Sequence, residues 1–161
     1  MAKKPGKPAD PSPTFATNRK ARRDYTILET YHAGLMLSGT EIKSIRQHRV
    51  SLDDSFARID GGELFLYNMH VSPYEQGGRD NVDPVRPRKL LMHRREIDRL
   101  MGVTAQRGLT LVPLRLYQAH GLAKVELAVA KGKRVFEKRD RIRERELDRE
   151  IRRRMRQPRG R

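Results

Sequence analysis

The residues best placed to do chemistry in this chain are its cations. Asn18-Arg19-Lys20-Ala21-Arg22-Arg23 sets four of them beside an amide, and Lys131-Gly132-Lys133-Arg134 sets three around a glycine. Lys and Arg answer phosphates, while an Asn amide both donates and accepts at a base edge or a backbone group. A glycine such as Gly132 lets the backbone approach a phosphate closely. Phe136 lies inside the same basic run. It is the residue type that stacks on an unpaired base, though a fold back onto the body is an equally open reading. In Glu41-Ile42-Lys43-Ser44-Ile45-Arg46, helical spacing puts Lys43 and Arg46 on one face and Ile42 and Ile45 on another. That face either meets phosphates or is the solvated side of an amphipathic helix.

Catalytic chemistry has little support. The histidines at 32, 48, 70, 93 and 120 show no paired ligand spacing, and there is no cysteine to ligate a metal, act as a nucleophile or form a disulfide. Neither a P-loop nor a GxGxxG run occurs. The expectation is a protein that is not an enzyme and takes no metal or cofactor. Asp53-Asp54 is the one acidic pair suited to Mg²⁺ and to an RNA-processing reaction, but Ser51 three residues before Asp54 points to local capping.

Charge says what the partner is. The 161 residues carry 36 Lys+Arg and 20 Asp+Glu, a formal net charge of +16. Residues 1–24 hold seven cations and two acids, residues 25–130 fourteen and twelve, and residues 131–161 fifteen and six. A nearly neutral body thus carries two strongly basic ends, the footprint of a protein that binds RNA or DNA. No apolar run approaches the ~18 residues of a membrane helix. Neither end pairs its charge with a broad apolar face, so a membrane-surface role is not expected. Localisation is expected to be cytoplasmic.

The elements that must position these cations follow from patterning. Residues 1–17 hold four prolines and few large apolar groups, and are expected to be disordered. Strands are expected over 24–32, 34–37, 55–59, 63–69, 109–117 and 123–129, with glycine turns at 60–62 and near Gly121. The Ser38 to Glu41 spacing of a capping box opens a short helix over 40–48. Residues 72–88 form a long loop. Leu90, Leu91, Ile97, Leu100 and Met101 mark a second helix over 88–101, ended by Gly102. Pro113 belongs at an edge or a bulge. The result is a mainly β fold: a six-stranded antiparallel barrel over 18–130, short flanking helices and a basic tail over 131–161. The apolar stripe Ile142, Leu147, Ile151 and Met155 is thin, so the tail is expected to turn helical only on a partner.

Asn18…Ala21-Arg22…Tyr25, Ala33-Gly34-Leu35, Gly39-Thr40-Glu41-Ile42-Lys43-Ser44-Ile45-Arg46, Arg88-Lys89-Leu90-Leu91 and Ala130-Lys131-Gly132-Lys133 with Lys138-Arg139 occur in one order. In this the chain resembles the SmpB family of transfer-messenger RNA-binding proteins, from about Asn18 to the end of the tail. The resemblance implies an OB-like barrel. It also implies an adaptor, a monomer, that binds the tRNA-like domain of transfer-messenger RNA and delivers it to stalled ribosomes for trans-translation. The body would stand where an anticodon arm is missing. The tail would become helical in the empty mRNA channel beyond the decoding centre of the small subunit. Elongation factor Tu and alanyl-tRNA synthetase are implied partners through the shared RNA.

By position, the resemblance implies RNA binding by Asn18, Lys20, Arg22, Glu41, Lys43, Arg46 and Leu91 on the body and by Lys131, Gly132, Lys133 and Arg134 at the root of the tail. It implies decoding-centre contacts by Phe136, Lys138 and Arg139. Two positions depart from the family pattern. His32 stands where many relatives have Glu, so no acidic contact transfers there. Phe136 stands where relatives vary between histidine and tyrosine; it keeps a ring that stacks and lacks a polar tip. The alternative to the adaptor is a constitutive basic ribosomal protein threaded through rRNA.

Overall fold

The computed structural model describes residues 13–106, 108–133 and 135–156. In chain order they form β1 (Thr14–Thr17), α1 (Arg19–Asp24), β2 (Tyr25–Leu35), α2 (Gly39–Arg46), β3 (Val50–Ser51), β4 (Phe56–Asp60), β5 (Glu63–Tyr67), β6 (His70–Val71), β7 (Arg88–Leu91), α3 (Arg94–Thr104), β8 (Leu109–Ala119), β9 (Leu122–Gly132) and α4 (Val135–Arg156), with one 3₁₀ turn at Gly78–Asp80. Six strands hydrogen-bond in a closed antiparallel ring, β8-β4-β5-β7-β2-β9 and back to β8. β1 lies against β8, and β3 pairs with β6 apart from the ring.

Alternation drives the closure. On β5, Leu64 and Leu66 point inward while Glu63, Phe65 and Tyr67 point out. Inside the ring Leu64, Leu66, Leu90, Leu111, Leu116, Val125, Leu127 and Val129 are almost wholly buried, each contributing on the order of 1.5–3 kcal/mol by removal from water. β8 and β9 are covered on their outer faces too. There Val112, Leu114, Ala128 and Ala130 pack beneath Ala21 of α1, and small residues let that helix sit close. Both tight hairpins use left-handed pairs, Gly61 and Gly62 after β4, His120 and Gly121 after β8, as two-residue turns matching strand twist require. Pro113 sits beside the register shift between Pro113 and Arg115, the bulge its missing N–H calls for. A second shift, between Ile27 and Glu29, extrudes Leu28, which is 53% exposed.

Several expectations need correction. The six ring strands match the expected number, but their membership differs. The stretch 24–32 and the start of 34–37 merge into β2, which ends at Leu35, and the sixth strand is β7, placed by sequence in a helix over 88–101. Arg88 is fully buried inside the ring, so the inward-facing pair Arg88 and Leu90 does not read as apolar alternation. The helix begins only at Arg94 and runs through Gly102 to Thr104. The segment 1–17, expected to be disordered, contributes β1, because Phe15 packs on the core and Thr14, Ala16 and Thr17 register with Tyr117, Leu116 and Arg115; residues 1–12 lie outside the described residues. The boundary expected at 130 falls two residues inside β9. The tail forms α4, with Ile142, Leu147, Ile151 and Met155 all exposed along it, a thin uncovered stripe of the kind that calls for a partner and not a correction of that expectation. Among the described residues no helix is long and apolar enough to cross a membrane.

Candidate nucleic-acid interface

The cations before the first ring strand are displayed by a six-residue helix too short to hold itself. Asn18 caps it: the side-chain oxygen accepts from the Ala21 N–H at 3.0 Å. The same amide donates to the backbone carbonyls of Leu52 at 3.2 Å and Pro113 at 3.0 Å, and the Asn18 N–H donates to Leu114 O at 2.7 Å. Asn18 is therefore buried and engaged inside the protein. Its hydrogen bonds hold α1 against the 52 and 113 carbonyls. Replacing it with Ala removes the cap and leaves two carbonyls unpaired, so Asn18→Ala is expected to lower stability by ~2 kcal/mol in urea unfolding. A loss below ~0.5 kcal/mol would show the amide to be dispensable.

Ala21 faces inward, which turns Arg19, Lys20, Arg22 and Arg23 outward. Lys20 pairs with Asp54 at 2.6 Å, and this hydrogen bond and charge raise its pKa above the ordinary lysine value. Asp54 is thus a partner for α1, and the Asp53 N–H is held by Ser51 Oγ at 3.3 Å. β9 brings the root of the tail to the same place. Gly132 is opposite Tyr25 and Lys131 opposite Thr26, while Lys133 donates through its N–H to Asp24 O at 2.9 Å and through Nζ to Arg22 O at 3.2 Å. A methyl group on Gly132 would meet no atom within 4 Å, so the strand surface in front of it is open. Lys20, Arg22, Lys131 and Lys133, about 110 residues apart in sequence, thus share one end of the body. Arg134 lies outside the described residues. Phe136, Lys138 and Arg139 fall in the first two turns of α4, and their side chains lie outside the described residues too.

The second cluster is built on α2. Its capping box is present: Ser38 Oγ accepts from the Glu41 N–H at 3.4 Å and a Glu41 oxygen accepts from the Ser38 N–H at 3.0 Å. Glu41 is buried, ion-paired to Arg86 and Arg88 by charge-assisted hydrogen bonds. Arg88 also donates to the carbonyls of Met69 at 2.6 Å, Arg86 at 3.2 Å and Pro84 at 3.1 Å. Burial alone would push the Glu41 carboxyl up. The hydrogen bonds from Arg86, the Ser38 N–H and Arg88 outweigh it and hold the group below the ordinary carboxylate value. Burial dominates at Arg88, lowering its pKa against the pull of Glu41. Glu41, named by resemblance as RNA-binding, is thus the anchor that ties α2 to the 72–88 loop and β7.

What α2 presents is a groove. Ile45 enters the core, whereas Ile42 is 37% exposed and lines a cavity of about 310 Å³ with Arg46, Met36, Leu91, Leu122 and Lys124. Ile42 and Ile45 share the face that spacing gave them, both lining the cavity, with Ile45 the deeper of the two; Arg46 joins them there, so it does not share a face with Lys43. Gly34 permits this groove's floor, since a Cβ there would stand 3.3 Å from that of Leu91 across the pairing of β2 and β7. Lys43 turns aside to Tyr74, its ammonium 5.2 Å from the ring centroid. Apolar walls rimmed by Arg46 and Lys124 suit a ligand with flat apolar faces and phosphates. Sequence reasoning missed Met36, Leu122 and Lys124; the one signal was Leu122, a large apolar residue beside the turn glycine at 121. His32 lies on the outer face of β2 with Nδ1 2.7 Å from the Tyr117 hydroxyl.

Residues 15–157 match the family model described as "SmpB protein". Proteins named SsrA-binding protein from Geobacillus thermodenitrificans and Desulforudis audaxviator are 61% and 62% identical over 143 and 142 residues, covering 89% and 88% of this chain and 92% and 93% of theirs. A solved structure described as "tmRNA-SmpB: a journey to the center of the bacterial ribosome" shares 54% identity at a TM-score of 0.63, over 74% of this chain and 84% of that one. With the family model matching nearly the whole length and relatives this similar, the chain belongs to the SmpB family.

Proposed function

We propose that the chain is an RNA-binding adaptor that takes the tRNA-like domain of transfer-messenger RNA and serves ribosome rescue with it. The observation that carries this reading is the convergence of Lys20, Arg22, Lys131 and Lys133 on one end of a closed β body, with a groove at the opposite end of the β2–β9 ladder whose apolar walls are rimmed by Arg46 and Lys124. Relatives bearing the SsrA-binding name and a tmRNA-SmpB structure on the same fold support it. The body holds the RNA through phosphates and through unstacked bases seated in the groove, the combination by which RNA rather than duplex DNA is read. No bond is made or broken in this role, and no cofactor enters it. The tail, with Phe136, Lys138 and Arg139, enters the vacant mRNA channel past the decoding centre, where α4 lies along rRNA. The protein acts as a monomer in the cytoplasm, and elongation factor Tu and alanyl-tRNA synthetase meet it through the RNA.

Two variants test the body's share. Lys131→Ala is expected to reduce the slope of log affinity against log salt by ~1, as when one fewer phosphate is neutralised. Arg46→Glu is expected to weaken binding of the tRNA-like fragment by ~10-fold or more, about 1.4 kcal/mol. Filter binding across a salt series reads both. Unchanged slope and affinity in both variants would move the RNA off both of these sites.

A further inference from the structure

The outer face of β4, β5 and β7 carries a row that neither the core nor the groove uses. Arg58, Phe65 and Lys89 stand directly opposite one another across the three strands. Phe56 and Tyr67 pair alongside, their rings stacked at 14° with centroids 5.4 Å apart, and Phe65 lies 6.5 Å from Tyr67. The Arg58 guanidinium sits 4.9 Å from the Tyr67 centroid. These are outward positions, where alternation favours polar residues, yet three of them are aromatic. We propose that this face is a stacking platform for an unpaired base of single-stranded RNA, with Phe65 beneath the base and Arg58 and Lys89 on the flanking phosphates.

Strand spacing is ~4.8 Å, so Arg58 and Lys89 flank the Phe65 ring one strand away on either side, and both side chains are long enough to close on the phosphates beside one nucleotide. Both cations have acidic neighbours, Asp60 on Arg58 at 3.0 Å and Glu63 on Lys89 at 3.0 Å. All four side chains are at least one-third exposed, and pairs in that setting contribute little, so a phosphate exchanges for the carboxylates. The Tyr67 hydroxyl also donates to Asp60, which keeps that carboxylate beside the rings. The row leads toward the groove: the Met36 N–H donates to Lys89 O at 3.0 Å, and Met36 lines the groove wall. One RNA strand can therefore run from groove to platform. The inference rests on the proposed RNA site only for that path, and the net charge of +16 favours a polyanion as the occupant.

The test uses the full chain and a single-stranded RNA of about eight nucleotides carrying one 2-aminopurine, within the usual site size. Binding is expected to quench the 2-aminopurine. Phe65→Leu is expected to bind ~10-fold more weakly and to lose the quench, the usual cost of removing one stacked base. Arg58→Gln and Lys89→Gln are each expected to reduce the salt slope by ~0.7. Wild-type affinity and quench in a folded Phe65→Leu protein would overturn the proposal. Should that variant fail to fold, the wild-type protein answers through photocrosslinking to the 4-thiouridine form of the same RNA. Adducts within 56–67 or 88–91 support the platform, and adducts confined to other segments overturn it. The tRNA-like fragment and Arg46→Glu separate this from the body's main contact: their behaviour can hold while the platform fails, and the reverse.

Discussion

A chain ended after Lys133 is expected to lose tagging of peptides on stalled ribosomes by ~100-fold or more while its affinity for the tRNA-like fragment falls by less than ~10-fold, a separation of at least ~1.4 kcal/mol. The physical ground is where the body ends. β9 closes the ring through Gly132, and the Lys133 N–H is bonded to Asp24 O, so this cut removes no ring strand and none of the groove. What it removes is α4, whose apolar residues Ile142, Leu147, Ile151 and Met155 are all exposed and bury nothing. The removed segment carries thirteen Lys/Arg against six acids, a net of +7. Its nonspecific pull on RNA is large at low salt and mostly screened at ~150 mM, which is where affinity should be compared. Tagging by rescue in a translation extract is the readout. Unchanged tagging by the shortened chain would remove the tail from the mechanism.

The second large effect lies in the body. Glu41→Gln leaves Arg88 fully buried without a counter-charge, and breaking one side of such a pair costs on the order of 3 kcal/mol. For a chain of this size that lowers Tm by about 10 °C. The pair should couple: with Arg88→Met added, the double variant is expected to lose less than the two single losses together, because no orphan charge remains. Acid should shrink the effect. The Glu41 carboxyl sits below its unfolded value, so the unfolded chain takes up the proton first as pH falls. Its contribution is present above the ordinary carboxylate range and is lost as pH drops through the folded value. Wild type and Glu41→Gln should therefore converge in acid. Urea unfolding at neutral and acid pH checks this; a gap that widened on acidification would mean the carboxylate does not anchor α2.

Glu41 also shows what the sequence could and could not convey. The Ser38 to Glu41 capping box was legible, because both partners lie within one helical turn and the motif has a local mechanism. The ion triad was not, because Arg86 and Arg88 come from 45 and 47 residues away and a buried arginine reads as a surface residue. The same disguise hid β7 inside a helix. Hairpins with Gly61-Gly62 and Gly121 were legible from turn chemistry, whereas α1, β3 and β6 are too short for any period to show. The structural role of Asn18 was not legible. Beside four cations its amide suits a base edge or a backbone group, and only the meeting of α1 with the 52 and 113 carbonyls shows it to be a buried cap. The cation clusters themselves were plain in the charge count. Their convergence through Tyr25 pairing with Gly132 needed the fold.

Discrimination between RNAs is what separates an adaptor from a basic surface, since charge alone binds any RNA. Competition at ~150 mM salt between a tRNA-like fragment of transfer-messenger RNA and an ordinary tRNA tests it most directly. The adaptor reading predicts a preference for the fragment of ~10-fold or more, about 1.4 kcal/mol. Equal binding would contradict it and leave a basic RNA-binding surface of the kind a ribosomal protein carries.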